Sequence, residues 1–341
     1  MNSVTINDVA ALAGVSIKTV SRVLNREPHV RDELRARVLA AAETLNYHPN
    51  FAARALAGSR AYLIGLYYDQ SSLGYISGVQ HGAMSACREA GRHLLIEQIQ
   101  EQDVAGREQI ETLLANVKID GVILPPPVCD RLDVLQVLDQ RGTPHVRIAP
   151  AGQFDRGPYV YMDDRQAAYD MTAHLQALGH RRIGFIRGHA DHSVSALRYQ
   201  GFVQAMQAAG LEVASQWVQP GSFSFRSGAA AAERLLNLSD RPTAVFASND
   251  DMALGVMAVA NRIGLTVPDD LSVAGFDDSP IAQVVWPQLT TVRQPVIEMA
   301  YEAASMLIQG AQSAPDGPGR LLDFTIIVRG STGPSPREAL G

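Results

Sequence analysis

One segment near the N-terminus carries side chains whose types and spacing could read a nucleic acid. At helical spacing on one face stand Ile17, Lys18, Ser21 and Arg22. An apolar contact, two cations and a hydroxyl together suit contacts with base edges in the major groove and with phosphates. A helical hairpin with a solvated face is the alternative, and the spacing alone leaves both interpretations open.

Two short helices joined by a tight turn must hold these side chains. Thr5 is suited to cap the first helix with Asp8 as its capping-box partner, and Gly14 is suited to end it in the left-handed conformation. Ser16 is then placed to cap the second helix. The residues expected to face inward are Val9, Ala10, Leu12, Ala13, Val20, Val23 and Leu24.

A third amphipathic helix is predicted over residues 31–45. It is expected to begin at Asp32, which can cap it and place a negative charge at its positive end, because Arg31 stands where Ser or Thr would be usual. Its inward residues are expected to be Leu34, Val38, Leu39, Ala42 and Leu45. A breaker at residues 46–50 precedes a helix-competent piece at residues 51–58, which is too short to be stable alone.

A second group of polar side chains follows apolar, strand-like runs in the larger part of the chain. Arg198 can donate a forked pair of hydrogen bonds to vicinal hydroxyls or to a carboxylate, and a surface ion pair is the alternative. Asn249 and Asp277 stand at strand ends, where the ligands of parallel sheets bind. Helix capping is the alternative at such positions. It is the role expected of Asp250, Asp251 and Asp278.

A polar loop after the first predicted strand offers a further wall for a ligand. It begins at Asp69 and ends at Tyr75 and Ile76, and its aromatic suits a flat or ring-shaped molecule. Trp286, before Pro287, could pack against a sugar face, and a place in the hydrophobic core is the alternative.

Apolar runs alternate with helix-like stretches through the rest of the chain, which is typical of βαβ units. Strands are predicted at residues 62–68, 93–96, 121–124, 145–148, 159–162, 183–186, near 217, 244–247, 271–274 and 321–328. Helices are predicted at residues 78–90, 108–117, 166–178, 196–209 and 296–308. Two similar halves imply two parallel sheets, with chain crossings near residues 160, 290 and 323. Ligands of such sheets bind at the carboxyl ends of the strands, here in a cleft between two lobes.

Charge is divided unevenly along the 341 residues. The net charge is −6, yet residues 1–60 carry eight Lys and Arg against five Asp and Glu, which leaves about −9 on the remainder. This asymmetry concentrates the attraction to phosphate at the N-terminus. No run of about 20 apolar residues and no secretory signal is visible, and Cys87 and Cys129 lack metal-type spacing.

The run VTINDVAALAGVSIKTVSRVLN, the segment LNYHPNFAARALAG and the strand-end signatures together resemble the LacI/GalR family of bacterial transcription regulators over essentially the whole chain. The resemblance implies an α/β protein with an N-terminal three-helix helix-turn-helix head at residues 1–48 and a hinge helix at residues 49–60. A two-lobed periplasmic-binding-protein-like core of parallel sheets would occupy residues 61–341. Its N-lobe would span about 61–160 and 292–322, and its C-lobe about 161–290 and 323–341.

The resemblance also implies which residues contact DNA. In this family the second helix enters the major groove, and the hinge helix folds at the operator and enters the minor groove. Ile17, Lys18 and Arg22 match base-reading positions. The positions that contact phosphates or position the protein on DNA are matched by Thr5, Ser16, Thr19, Ser21, Asn25, His29, Val30, Tyr47 and Asn50. The apolar wedge between the central base pairs would be Leu56, with Ala53 and Arg54 beside it.

Two positions depart from the pattern of the family. Arg31 stands where a small hydroxyl residue is usual, so that phosphate contact is expected to be altered or replaced by a longer ionic one. Where the pocket of the family sometimes has a carboxylate after the fourth strand, this chain has residues 147–150, and Arg147 would substitute for it, which would favour an anionic or differently oriented ligand. The effector-binding residues expected from chemistry and resemblance are Asp69, Tyr75, Ile76, Arg147, Arg198, Asn249, Asp277 and Trp286. Asp163 is expected to be structural or peripheral to the site.

The sequence therefore predicts a cytoplasmic repressor of a carbohydrate-utilisation operon without metal or cofactor. It would bind a palindromic operator as a homodimer, controlled by a sugar or glycoside in the cleft; the tail after Val328 has no leucine heptads for a tetramer. A purine- or nucleoside-responsive corepressor-type regulator is the alternative. A sugar-binding protein or a glycosidase is less favoured, because no export signal is visible and adjacent aspartates do not flank one glycosidic bond.

Overall fold

The computed structural model describes residues 4–24, 30–47, 61–69, 72–99, 104–310 and 319–336. The chain divides into two compact units between Tyr62 and Leu63. Each unit has a hydrophobic core of its own, and the larger unit contains several buried clusters. Among the helices in these ranges, none has both the length and the apolar character needed to span a membrane.

The N-terminal unit contains the helices α1 (Ile6–Ala13), α2 (Ile17–Leu24) and α3 (Asp32–Thr44). The predicted capping residues lie at the starts of α1 and α2. The Asp8 carboxylate accepts hydrogen bonds from the backbone N–H and the hydroxyl of Thr5, each at 2.8 Å. Gly14 ends α1 with a φ of +60°, and Ser16 Oγ accepts a hydrogen bond from the N–H of Thr19 at 3.2 Å. Local sequence thus sets the turn between α1 and α2.

The third helix begins at Asp32 as predicted, but Asp32 is not its cap. Arg31 occupies the N-cap position and makes no side-chain capping bond. Asp32 and Glu33 lie in the first turn, where their negative charges meet the positive end of the helix dipole.

A side chain of α3 that the sequence did not single out secures the end of α1. Arg37 Nη2 donates to the carbonyl oxygen of Ala13 at 2.5 Å and to that of Gly14 at 3.4 Å. Carbonyl groups in the last turn of a helix lack intrahelical partners, so these bonds stabilise the turn that leads into α2.

Small apolar side chains fill the core of this unit. Its buried members are Val9, Ala10, Ala13, Val20, Val23, Val38, Ala41 and Ala42. Two leucines predicted to face inward do not: Leu12 is 54% exposed and Leu39 is 49% exposed. Val9 and Ala13 already form the inward face of α1, and Leu39 lies about 100° around α3 from the buried Val38.

The larger unit contains two six-stranded sheets, in the order β11-β5-β4-β3-β1-β2 for the N-lobe and β12-β10-β9-β8-β6-β7 for the C-lobe. The N-lobe strands are β1 (Leu63–Tyr68), β2 (His93–Gln98), β3 (Gly121–Leu124), β4 (His145–Ile148), β5 (Tyr159–Tyr161) and β11 (Gly319–Leu321). The C-lobe strands are β6 (Ile183–Ile186), β7 (Val218–Gln219), β8 (Ala244–Ala247), β9 (Ser272–Asp277), β10 (Thr290–Arg293) and β12 (Thr325–Ile327). Paired strands run parallel except β10 with β12. The predicted α/β class with two parallel sheets is therefore confirmed.

Helices pack against both sheets. They are α4 (Leu73–Glu89), α5 (Val104–Asn116), α6 (Leu132–Arg141), α7 (Asp164–Ala177), α8 (Ser193–Ala208), α9 (Phe225–Leu236), α10 (Asp250–Arg262), α11 (Pro280–Val284) and α12 (Val296–Gln309). The apolar pattern of the sequence predicts no helix over the segments of α6 and α9. The closest helix partners are α12 with α4, α7 with α8, and α9 with α10.

One predicted strand is wrong, and the two strands observed in its place show where the chain passes between the lobes. Residues 321–328 were expected to form a single strand, but the structure has β11 in the N-lobe sheet and β12 in the C-lobe sheet. The chain therefore passes between the lobes at residues 162–163, 294–295 and 322–324. Because β10 stays in the C-lobe sheet as far as Arg293, the second N-lobe segment begins later than the expected residue 292.

Glycines allow the paired helices of the larger unit to approach closely. A Cβ on Gly201 of α8 would lie 2.0 Å from the carbonyl oxygen of Arg165 in α7. A Cβ on Gly82 of α4 would likewise lie 2.0 Å from the carbonyl oxygen of Ile297 in α12. Both distances are far inside van der Waals contact, so these helix pairs need glycine at the crossing.

Replacing Gly201 by alanine is expected to destabilise the larger unit by about 1–3 kcal/mol, because the added methyl group must displace the backbone of α7. Urea unfolding followed by circular dichroism would measure the change. Gly152→Ala is the matched control, since no atom lies within 4 Å of its added Cβ and its φ is not positive. Equal stability of the two variants would contradict the prediction.

Candidate functional site

The outward face of α2 is the first candidate site. Ile17 is 51% exposed and Lys18 is exposed, whereas Ser21 and Arg22 are half-buried. At the start of the helix the hydroxyls of Ser16 and Thr19 lie 2.9 Å apart. This face combines an apolar side chain with two cations.

The other predicted DNA-contact residues are distributed around and beyond α2. Thr5 is exposed at the start of α1, and Arg31 is exposed before α3. Val30 and Tyr47 are half-buried and pack against the core of the N-terminal unit. The predicted contacts Asn25, His29, Asn50, Ala53, Arg54 and Leu56, and the predicted hinge helix at residues 49–60, lie outside the described residues.

The second candidate site is a cavity of about 50 Å³ between the two lobes. By the same measure one water occupies about 10–15 Å³, so the cavity has room for a few waters and a metabolite requires wider separation of the lobes. The N-lobe contributes Ser72, Tyr75, Pro126 and Ala149 to its lining. The C-lobe contributes His192, Val194, Arg198, Phe223, Asn249 and Asp277, and Gln294 of a crossing segment completes it.

Arg198 is the central cation of this cavity. Its Nε donates to Asp164 Oδ1 at 2.8 Å, and its Nη1 donates to the carbonyl oxygen of Ser248 at 2.6 Å. Its Cζ lies 3.6 Å from the centroid of the Phe276 ring, a cation–π contact. The side chain is 5% exposed, so the surface ion pair considered from sequence is excluded.

Asp277 faces this arginine at the end of β9. Its Oδ1 lies 4.0 Å from Arg198 Nη1 and accepts a hydrogen bond from Gln294 Nε2 at 2.6 Å. Burial raises the pKa of Asp277 well above its usual value, which Arg198 opposes. The φ of +124° at Asp277 is rare for a residue with a side chain. A buried donor and a buried acceptor thus stand side by side.

Aromatic side chains form another wall of the cavity, and sequence reasoning missed two of them. The ring centroids of His192 and Phe223 lie 5.1 Å apart. Burial, followed by the nearby charges of His189 and Arg198, lowers the pKa of His192 to about 4, so its ring is neutral near pH 7. Tyr75 brings a buried hydroxyl that has no hydrogen-bond partner among the described residues. Burial raises the pKa of Tyr75.

Asn249 joins the polar and aromatic parts of the cavity. Its Oδ1 accepts from the N–H of Met252 at 3.0 Å and so caps α10, while its Nδ2 donates to the carbonyl oxygen of Phe223 at 3.0 Å. Asn249 therefore both caps α10 and lines the cavity, two roles that the sequence presents as alternatives. Phe223 lies shortly after strand β7, and that place after a strand could have identified it as a cavity residue. The strand has only two residues, so its pattern was too short to recognise.

Comparison with known proteins shows which protein families the two units resemble. Residues 5–50 match the family described as bacterial regulatory proteins, lacI family, and residues 172–332 match a periplasmic binding protein-like domain. The transcriptional repressor CytR of Escherichia coli K12 is 35% identical over 332 residues, which cover 96% of each chain. The repressor PurR of Photobacterium profundum is 33% identical over 311 residues, covering 89% of this chain and 91% of PurR. The chain belongs to the LacI family of bacterial transcriptional regulators.

Solved structures agree with this assignment. The lac repressor dimer bound to operator and the anti-inducer ONPF has a TM-score of 0.81 and 29% identity, over 97% of this chain and all of that chain. A complex of the regulator CelR with cellobiose has a TM-score of 0.73 and 32% identity, over 96% of this chain and all of that chain. This LacI-family protein is a DNA-binding transcriptional repressor and not an enzyme, which removes the glycosidase alternative.

Four of the eight residues predicted to bind an effector in this LacI-family protein line the cavity: Tyr75, Arg198, Asn249 and Asp277. Ile76 is 5% exposed and belongs to the hydrophobic core beneath it. Asp69 lies 3.8 Å from Arg131 Nη1 in a buried ion pair and is not a lining residue. The structure places Ile76 and Asp69 outside the lining, to which the described part of the loop that begins at Asp69 contributes Ser72 and Tyr75.

The structure also places Arg147 and Trp286 outside the lining of the cavity. Arg147 is fully buried and donates to the carbonyl oxygens of Cys129 at 2.6 Å and Gly152 at 2.7 Å, and to Asp130 Oδ1 at 2.6 Å. With those bonds its guanidinium is part of the N-lobe framework. Trp286 is 88% exposed and lies on a separate apolar groove of the C-lobe.

Two aspartates expected to cap helices instead bridge separate segments. The Asp250 carboxylate accepts from the N–H and hydroxyl of Ser279 at 2.7 and 2.8 Å and from Thr291 Oγ1 at 2.6 Å. Asp278 accepts from Arg293 Nε at 2.7 Å and from Arg329 Nη2 at 2.5 Å. These bonds fix the loop that follows β9 and its last residue, Asp277. Asp163 caps α7 through the N–H of Gln166 at 2.9 Å, as its expected structural role requires.

Proposed function

We propose that this repressor is controlled by a small effector with vicinal hydroxyl groups that binds between the lobes. The arrangement of Arg198, Asp277 and Asn249 beside an aromatic wall carries the proposal. The arginine supplies donors and the aspartate an acceptor, which match two adjacent hydroxyls, while the aromatic side chains cover an apolar ring face. Both lobes line the cavity, so an effector there alters how the lobes are juxtaposed.

A sugar or glycoside is the first candidate effector. Vicinal hydroxyls are present around every pyranose ring, and Tyr75 has a buried hydroxyl without a partner in the described part of the chain. A hydroxyl-rich ligand would satisfy that group, which otherwise costs about 1–3 kcal/mol. The CelR relative was solved with cellobiose, which is consistent with this class.

A nucleoside is the second candidate, and Phe223 and His192 favour it. Their tilted aromatic pair suits a flat heterocycle better than a pyranose, because base–aromatic stacking contributes about 1–3 kcal/mol per base. The ribose hydroxyls would then occupy the site formed by Arg198 and Asp277.

The proposed mechanism is a two-state switch in a homodimer. Two heads would occupy the half-sites of a palindromic operator, and the hinge segments at residues 49–60 would fold when both meet its centre. An effector that binds one lobe arrangement more tightly shifts the population toward it and so changes DNA affinity.

An exposed apolar strip on the C-lobe supports the dimer. It contains Phe225, Ile281, Val284 and Trp286, each at least 41% exposed. Contiguous apolar surface of this kind typically marks a protein–protein contact. Sedimentation velocity of the full chain is expected to give a dimer at micromolar concentration, and a monomer would contradict this part of the proposal.

A thermal-shift screen of the full chain tests the effector. A ligand at 100 times its dissociation constant stabilises the folded protein by about 2.7 kcal/mol. Monosaccharides, cellobiose, nucleobases and nucleosides form the panel, and any hit is then tested on operator binding. Phe223→Ala is expected to weaken a nucleoside about tenfold or more through lost stacking. If no compound with vicinal hydroxyls stabilises the protein, the proposal fails.

A further inference from the structure

Two of the places where the described residues of the two lobes approach each other lie beside the cavity. At α4 of the N-lobe, a Cβ on Gly74 would lie 3.1 Å from Cβ of Ser279 in the C-lobe. After strand β3 of the N-lobe, the carboxylate of Asp130 accepts a hydrogen bond through Oδ2 from the hydroxyl of Ser193 in the C-lobe. The first shows that the backbone at Gly74 approaches Ser279 closely, whereas the second is a charge-assisted hydrogen bond.

The Asp130 carboxylate is held in place by its own lobe. Its Oδ1 accepts from Arg147 Nη2 at 2.6 Å, and its Oδ2 accepts from the N–H of Ala151 at 3.1 Å. Arg147 is in turn fixed by backbone carbonyls, including that of Gln153 at 2.7 Å. The direction of the carboxylate is therefore set within the N-lobe and does not depend on Ser193. Such preorganisation lowers the entropic cost of making the contact between the lobes.

On the C-lobe side, the contact falls at the start of α8. Ser193 is the first residue of this helix, and the N-cap residue His192 makes no side-chain capping bond. The N-terminus of a helix carries a partial positive charge that a carboxylate stabilises. Asp130 therefore supplies from the opposite lobe a negative charge that α8 lacks at its own cap. The same helix presents Val194 and Arg198 to the cavity.

We propose that Asp130 is an inter-lobe latch, a positioning residue whose carboxylate holds the start of α8 through Ser193 when the lobes are closed. Its importance for regulation rests on the proposed function, because only an effector bound between the lobes is governed by their closure. The hydrogen bond between Asp130 and Ser193 stabilises the closed arrangement of the lobes and is not made in the open one. It therefore shifts the equilibrium toward closed molecules. Because the closed cavity has room for only a few waters, an effector needs the open arrangement, and its apparent affinity falls as the fraction of closed molecules rises.

The latch is tested by measuring the distance between the lobes without any effector. Spin labels introduced as unnatural amino acids at the exposed Gln136 of α6 and Gln200 of α8 leave Cys87 and Cys129 unaltered. Ser193→Ala in the full chain is expected to raise the open-to-closed ratio about tenfold, which corresponds to about 1.4 kcal/mol. Ser193→Thr retains a hydroxyl and is expected to keep the wild-type distances.

Matched variants separate the latch from a general loss of stability. Ser195→Ala removes a hydroxyl from the same helical turn, but that hydroxyl donates to His189 O at 2.7 Å within the C-lobe. Ser195→Ala is therefore expected to keep the wild-type distances. Asp130→Asn, which removes the carboxylate charge, is expected to open the lobes as Ser193→Ala does. Wild-type distances in Ser193→Ala, or equal opening in Ser195→Ala, would overturn the latch.

The outcome is independent of the effector screen. If the screen fails while Ser193→Ala opens the lobes, the proposed effector is wrong and the latch stands. If an effector is found while Ser193→Ala keeps the wild-type distances, the latch is wrong and the proposed function stands.

Discussion

Replacing Arg198 by methionine is expected to lower the free energy of unfolding of the larger unit by about 3–5 kcal/mol. The guanidinium is hydrogen-bonded to Asp164 at 2.8 Å and lies 4.0 Å from Asp277, and the side chains of both acids are less than 10% exposed. Methionine fills a similar volume but leaves two buried carboxylates without their cation. Urea unfolding at pH 7 measures the loss.

The pH dependence of this loss identifies its cause. Burial raises the pKa of Asp164 and of Asp277, and Arg198 opposes both shifts. Without Arg198 the folded-state pKa values rise further above their unfolded values. Acids of this kind favour the folded state at low pH and lose that contribution as the pH rises through the folded-state pKa. The stability deficit of Arg198→Met is therefore expected to be larger at pH 8 than at pH 5.

Two further variants make the interpretation specific. Asp164→Asn added to Arg198→Met is expected to recover part of the lost stability, because one unpaired charge is removed. Arg187→Met is the control: its guanidinium lies 4.7 Å from the centroid of the Tyr199 ring, and the residue is exposed. A deficit in Arg187→Met equal to that in Arg198→Met, or no deficit in Arg198→Met, would contradict the electrostatic account.

Local chemistry explains which elements could be predicted from the sequence. Thr5, Gly14 and Ser16 act on the neighbouring turn of chain, so their types alone located both ends of α1 and the start of α2. Continuous apolar runs likewise located β3, β6 and β8 at their observed bounds, and the β-branched residues Val146 and Ile148 located β4. Cavity residues at strand ends, such as Asn249 and Asp277, followed from the general geometry of parallel sheets.

Long side chains and short strands account for the failures. Arg147 stands on a strand beside the cleft, but its length lets the guanidinium reach loop carbonyls far along the chain, which no sequence spacing shows. Phe223 was missed because a two-residue strand has no periodicity to detect. The break between β11 and β12 was missed because both strands are apolar enough to continue, and only the position of the two lobes separates them.

Arg22→Ala is expected to weaken binding to a specific operator by about 10–100-fold per head, because one arginine–base contact contributes about 1–3 kcal/mol. Arg22 follows Lys18 by four residues in α2, so both lie on one face of the helix, and the 51%-exposed Ile17 precedes them in its first turn. Titration of operator DNA by fluorescence anisotropy at fixed salt measures the change.

Binding to the operator is compared with binding to a scrambled duplex of equal length. The Arg22→Ala protein is also compared with a variant that loses one positive charge elsewhere. If Arg22 reads a base, its loss weakens operator binding strongly and scrambled-duplex binding little, whereas loss of a phosphate contact weakens both and reduces the salt dependence. Arg181→Ala removes one charge at an exposed position of the C-lobe and is expected to leave operator affinity within about twofold. Equal weakening on both duplexes would assign Arg22 to the phosphates, and the base-reading role in α2 would then fall to Ile17 and Lys18.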